Sequence, residues 1–219
     1  MTTSLDLLHT AHVPPGAGPF PTILTLHGWG ASAHDLLGLA PALPDGLQVI
    51  CPQGAVSVPI APGYAGHGWF PLVPGQPPDL VGFKKGAEQL RGFVDGVGDR
   101  FRIDPARFVT LGFSQGGAMG YDLTLRQPER FVGLIALSTW LAERLDEELP
   151  QLEAHRGFPM LVIHGTQDAV LPIEKARTSR RLLEARGVDV EYHELPMAHE
   201  INPEALRLIV DWLDRRLPS

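Results

Sequence analysis

One stretch constrains this chain more than any other: Arg107-Phe108-Val109-Thr110-Leu111-Gly112-Phe113-Ser114-Gln115-Gly116-Gly117-Ala118-Met119. Phe108, Val109 and Leu111 are apolar or β-branched and read as a short buried strand. Gly112, Ser114 and Gly116 follow as Gly-x-Ser-x-Gly, and a helical pattern starts behind them. A sharp strand-to-helix turn holds the serine in a strained backbone conformation. A Cβ two residues before or after it would strike neighbouring backbone, and glycine at both places removes that clash. The hydroxyl then stands above the sheet edge at a helix N-terminus, where free N–H groups can stabilise an oxyanion. A glycine-rich turn with an incidental serine is the bland alternative. The strand before and the helix after favour a nucleophile instead.

A serine hydroxyl needs a base, and the base needs an acid to hold its tautomer. Where such a turn sits in an α/β fold, the partners follow in the order Asp or Glu, then His. Asp168 and His199 satisfy that order, each just past the C-terminal end of an expected strand. Asp122 falls on the helix behind the serine, Asp189 opens a strand at the far edge, and His193 lies inside a strand. His164 stands at a strand end but before Asp168, which suits a structural role beneath that loop.

Apolar strand runs and helical patterns alternate along the rest of the chain. Leu5, Leu7 and His9 read as an edge strand. Thr22 to Leu26, Val49 to Pro52, Phe131 to Ser138, Met160 to Ile163 and Val188 to Leu195 read as further strands. Asp35 to Leu43, Phe83 to Phe101, Gly116 to Arg126, Pro172 to Arg186 and Pro203 to Leu217 read as helices. This is the pattern of a mostly parallel sheet with helices on both faces. At 219 residues the whole chain, 1–219, is expected to form a single α/β domain, and no segment is long enough for a large cap domain.

His27-Gly28-Trp29-Gly30 follows a buried strand, so its N–H groups can face a cavity, and His27 is expected to brace that loop. Gln53 to Leu80 shows no periodic pattern but is rich in proline and aromatic residues, and reads as an ordered loop bordering the site. Trp69, Phe70 and Leu72 from this loop are expected to shape the substrate cleft. Trp140 and Val170, from other strand ends, complete that expected set.

The net charge of −7 speaks against nucleic acid and against an anionic membrane as partners. Cys51 is the one cysteine, which rules out an intrachain disulfide and a cysteine metal cluster and suits a reducing, cytoplasmic compartment. The opening Met1-Thr2-Thr3-Ser4-Leu5-Asp6 carries no basic stretch and no long apolar run. No signal peptide, membrane span or lipid anchor is expected.

Gly112-Phe113-Ser114-Gln115-Gly116-Gly117, His164-Gly165-x-x-Asp168-x-Val170-x-Pro172 and His199-Glu200-Ile201 together resemble the phospholipase/carboxylesterase family of α/β-hydrolases, which includes acyl-protein thioesterases. Leu26-His27-Gly28-Trp29-Gly30 and Trp69-Phe70 are similar to two further motifs of that family. The resemblance runs from about Thr22 to Leu213. It implies an α/β-hydrolase fold, a Ser114, Asp168 and His199 triad, and an oxyanion hole from the N–H groups of Trp29 and Gln115. It also implies hydrolysis of small-molecule esters or thioesters with no metal and no cofactor. The family commonly has leucine where Trp29 stands, aspartate where Ala31 stands and glycine where Ala198 stands.

The leading expectation is therefore a serine carboxylesterase for small to medium acyl esters. An acyl thioesterase or lysophospholipase is the alternative. A hydrolase-fold protein that only binds a ligand would usually lack a triad member, and all three are present. The sequence leaves a homodimer open.

Overall fold

A computed structural model describes residues 7–73, 76, 79–141 and 143–217. Seven strands form one sheet: β1 (His9–His12), β2 (Phe20–Leu26), β3 (Gln48–Pro52), β6 (Ile103–Phe113), β7 (Gly133–Leu137), β8 (Pro159–Gly165) and β9 (Asp189–Leu195), in the order β1-β3-β2-β6-β7-β8-β9. Only β1 is antiparallel to its neighbour. The central strands are apolar on both faces because helices cover both. Along β8, Met160 and Val162 face one core while Leu161 and Ile163 face the other.

The first core is closed by α1 (Leu80–Phe101), α2 (Gln115–Arg126) and α4 (Ile173–Ala185), through Leu90, Phe93, Met119 and Leu183 among others. The second is closed by α5 (Pro203–Arg216) and a 3₁₀ turn at Leu36–Ala42, through Ile209, Trp212, Leu213 and Leu36. Asp79 starts α1 by accepting the N–H groups of Val81 and Gly82, and Asn202 starts α5 by accepting that of Ala205. The buried Asp122 of α2 accepts from Arg91 of α1 and from Arg126, tying the two helices together. A mostly parallel sheet covered on both sides is the α/β arrangement expected from the alternation of patterns.

Three local expectations change. The edge strand begins at His9 rather than Leu5, which lies outside the described residues, and the His9 ring packs on Phe93 and Phe101. The 36–42 helix is 3₁₀, with Pro41 inside it. Most consequentially, 53–80 holds a β-hairpin, β4 (Val56–Ala61) and β5 (Tyr64–Gly68), turned at Pro62-Gly63. Proline inside a strand normally speaks against one, but in a two-stranded ribbon both strands are edges, so Pro59 is tolerated. A short helix, α3 (Glu143–Glu148), follows β7.

Among the described residues no helix is long and apolar enough to cross a membrane.

Candidate active site

Ser114 sits at the junction of β6 and α2 with φ 53° and ψ −119°, a region L-residues avoid. The surrounding backbone enforces that turn. A Cβ on Gly116 would lie 2.0 Å from the carbonyl oxygen of Leu26 and 2.6 Å from that of His27. A Cβ on Gly112 would lie 2.5 Å from the carbonyl oxygen of Gly116. From the other side, the Ser114 N–H donates to the Leu137 carbonyl at 2.9 Å, and the Thr139 hydroxyl donates to the Ser114 carbonyl at 2.7 Å. The strained residue is therefore fastened to the end of β7, while Gly116 packs against the end of β2.

His199 reaches this point from the loop after β9. Its Nε2 lies 3.0 Å from Ser114 Oγ, and its Nδ1 lies 2.7 Å from Asp168 Oδ2. An ionised carboxylate only accepts, so Nδ1–H donates to Asp168 and the Nε2 lone pair is left facing the serine hydroxyl. Phe113 packs against the imidazole with ring centroids 4.9 Å apart. The Asp168 side chain is fully buried, and its Oδ1 accepts the N–H groups of Val170 at 2.9 Å and Leu171 at 2.8 Å. Both carboxylate oxygens are thus occupied. The Asp168 and His199 loops are tied directly: Thr166 N–H donates to Leu195 O and Gln167 N–H to Met197 O.

His164 lies beneath the same loop, as its place in the sequence led one to expect. It is buried, donates from Nε2 to the Leu171 carbonyl at 2.8 Å, and has that nitrogen 3.5 Å from Asp168 Oδ2. Burial lowers its pKa, against the opposing pull of the Leu171 carbonyl and of Asp168. His27 braces the loop after β2. Its Nδ1–H donates to the Gly28 carbonyl at 2.8 Å, and its Nε2 accepts the Gly54 N–H at 3.0 Å. Burial lowers its pKa too.

Trp29 and Gln115, on the loop after β2 and on the first turn of α2, carry the two N–H groups expected to face an oxyanion. Among the described residues neither N–H donates to another backbone group outside the regular elements. The hairpin packs onto this loop: Gly30 N–H donates to His67 O at 2.8 Å and His67 N–H to Ala31 O at 2.7 Å. The Trp29 indole lies so close over Gly68 that a Cβ there would meet its Cε3 at 2.2 Å.

The expected cleft residues divide. Trp69 and Phe70 are core residues, 2% and 1% exposed, and do not wall an open cleft. The hairpin ends at Gly68 and turns the chain inward, so both rings pack under it. Leu72 and Trp140 are partly buried against the same core, while Val170 is 71% exposed beside the Asp168 turn. Three further residues were not legible in the sequence: Thr139, Gly68 and the side chain of Gln115. Their partners are set by contacts between distant segments, and no local pattern marks them.

Two buried neutral histidines at the site have a consequence for stability. In the unfolded chain His27 and His164 protonate near pH ~6.5, whereas in the fold they protonate only at lower pH. Below about 6.5 the unfolded state therefore binds more protons than the native state, and stability rises with pH through this window. The contribution is complete above the unfolded-state value and is lost as the pH falls toward the native values. Urea unfolding midpoints measured from pH 7.5 down to 5 should fall, and His164→Gln should reduce the slope. A midpoint that held steady or rose over that range would contradict the assignment.

Comparison with known proteins gives a consistent picture. The family model described as Phospholipase/Carboxylesterase matches residues 9–217. The chain is 32% identical over 235 residues to acyl-protein thioesterase 1 of Neurospora crassa, covering 94% of this chain and 91% of that one. It is 29% identical over 218 residues to acyl-protein thioesterase 1 of Gibberella zeae, covering 90% and 91%. Among solved structures, esterase PE8 superposes with a TM-score of 0.82 at 26% identity, covering 96% of this chain and 99% of that one. The Bacillus cereus carboxylesterase shares the fold, with a TM-score of 0.82 at 19% identity and coverages of 97% and 95%. This chain thus belongs to the phospholipase/carboxylesterase family and is a hydrolase of the esterase or thioesterase type.

Proposed function

We propose that the protein is a serine carboxylesterase that hydrolyses small to medium acyl esters through an acyl-Ser114 intermediate. One observation carries this reading: the unbroken series Ser114 Oγ, His199, Asp168, with contacts of 3.0 and 2.7 Å and a single tautomer that satisfies both. His199 Nε2 takes the hydroxyl proton as Oγ attacks the carbonyl carbon. Asp168, buried and fully hydrogen-bonded, stabilises the imidazolium. The N–H groups of Trp29 and Gln115 receive the oxyanion. Collapse of the tetrahedral species breaks the bond to the alcohol, which leaves with the proton from Nε2. Water then repeats the sequence on the acyl-enzyme and releases the carboxylic acid and free Ser114. The lone buried cysteine suits a reducing, cytoplasmic setting.

An acyl thioesterase is the second reading, supported by the names of the two fungal relatives. The same steps serve a thioester, with a thiolate leaving instead of an alkoxide.

Ser114→Ala should abolish turnover of p-nitrophenyl acetate, a loss on the order of 10⁴ to 10⁶ in kcat. The fold should survive, because the turn depends on the glycines and not on the hydroxyl. A folded variant keeping a tenth of the activity would exclude Ser114 as nucleophile.

Acyl length is a second test. The Trp29 indole stands where the family commonly has leucine, and it lies over Gly68 of the hairpin. A cleft narrowed in this way gains about 0.8 kcal/mol per buried methylene until the chain meets a wall. kcat/KM across p-nitrophenyl esters of about two to sixteen carbons should peak between acetyl and octanoyl, and Trp29→Leu should move the peak to longer chains. A maximum at palmitoyl would favour the thioesterase reading, and an unmoved profile in the variant would remove Trp29 from the wall.

A further inference from the structure

The two proposed oxyanion N–H groups belong to separate segments. Trp29 lies on the loop after β2, and Gln115 opens α2. An oxyanion hole works only when both donors point at one atom, and the approach of Gly116 to the Leu26 and His27 carbonyls fixes only where the two segments begin. Two side chains lie between these segments, and neither is needed for the chemistry itself.

Gln115 has a fully buried side chain. Its Oε1 accepts the Trp69 N–H at 2.7 Å, and its Nε2 donates to the Phe70 carbonyl at 2.7 Å. The amide therefore grips the backbone just after β5 at two points, in the one orientation that satisfies both ends. The Trp69 indole then reaches the other segment, its Nε1–H donating to the His27 carbonyl at 2.9 Å. The imidazole of His27 lies 5.2 Å from the Trp69 ring at a 33° tilt. From that carbonyl, one residue of chain leads to Trp29. A chain of directed hydrogen bonds thus runs from the residue after the nucleophile to the start of the oxyanion loop, inside the core where such bonds are strong.

We propose that the side chains of Gln115 and Trp69 are positioning residues that set the separation of the two oxyanion donors. This rests on the reading of Ser114 as nucleophile with Trp29 and Gln115 N–H groups as donors. Gln115 then has two duties: its N–H meets the oxyanion, and its side chain fixes where the other donor stands. Trp69 acts on the reaction through the loop rather than by touching substrate, which accounts for an aromatic residue at the site's edge being only 2% exposed.

Trp69→Phe keeps the ring and the backbone N–H and removes the bond to His27. Gln115→Met keeps length and volume, and its own N–H, but removes both grips. Each variant should lower kcat for p-nitrophenyl acetate by roughly 10- to 100-fold, since misplacement of about 1 Å costs that much. KM should change less than about twofold, and the pH profile of kcat should not move. The decisive readout is the rate ratio between an oxygen ester and its thionoester, in which sulfur replaces the carbonyl oxygen. Donors spaced for an oxygen anion discriminate against sulfur, so the ratio should be large in the wild type and fall about tenfold in both variants. Rates are taken per mole of folded protein, measured by circular dichroism, and if one variant fails to fold the other carries the test. A kcat within twofold of wild type overturns the proposal. So does a lower kcat with an unchanged ratio, which would assign the two side chains to stability alone. Failure of the nucleophile reading shows separately, as turnover persisting in Ser114→Ala.

Discussion

The structure depends on how closely the elbow backbone approaches the end of β2. Gly116 lies against the Leu26 and His27 carbonyls, where no larger residue fits. This contact fixes where α2 leaves the sheet and places Ser114 at positive φ. Parallel strand order then does much of the remaining positioning. β6, β7, β8 and β9 are consecutive neighbours, so the loops after β8 and β9 emerge on the same edge as Ser114. Asp168 and His199 ride on those loops, and backbone bonds from Thr166 and Gln167 tie the two together.

Electrostatics then follow from burial. Asp168 loses its contact with water and regains it as two backbone N–H bonds and one from His199. The two histidines that the proposed chemistry leaves aside, His27 and His164, are buried and hold a neutral form against neighbouring carbonyls. They act as rigid spacers under the loops that carry Trp29 and Asp168.

Much of this was legible in the sequence. Apolar runs buried on both faces, such as Ile23 to Leu26 and Leu134 to Leu137, can hardly be anything but central strands. Ser114, Asp168 and His199 were identifiable because each sits just past the C-terminal end of a strand legible in the sequence, and the structure brings them within hydrogen-bond distance. The hairpin was hidden by Pro59 and Pro62, although Val56, Val58 and Ile60 do alternate. The places of Trp69 and Phe70 could not be read, because aromatic residues beside a site look the same whether they line it or support it from behind. Burial is decided by the hairpin docking onto 28–31, and that docking depends on Gly66 and Gly68 admitting the loop and the Trp29 indole. Contacts of that kind join segments some thirty-five residues apart and leave no periodic mark.

The central claim is that Ser114 is the nucleophile activated by His199. Covalent trapping tests it most directly. The wild-type protein is incubated with a fluorophosphonate, digested and mapped by mass spectrometry. The account predicts one phosphonyl group per chain, on the peptide that contains Ser114, with ester turnover lost in step with labelling. Labelling of a different serine, or full loss of turnover with Ser114 unmodified, would contradict it.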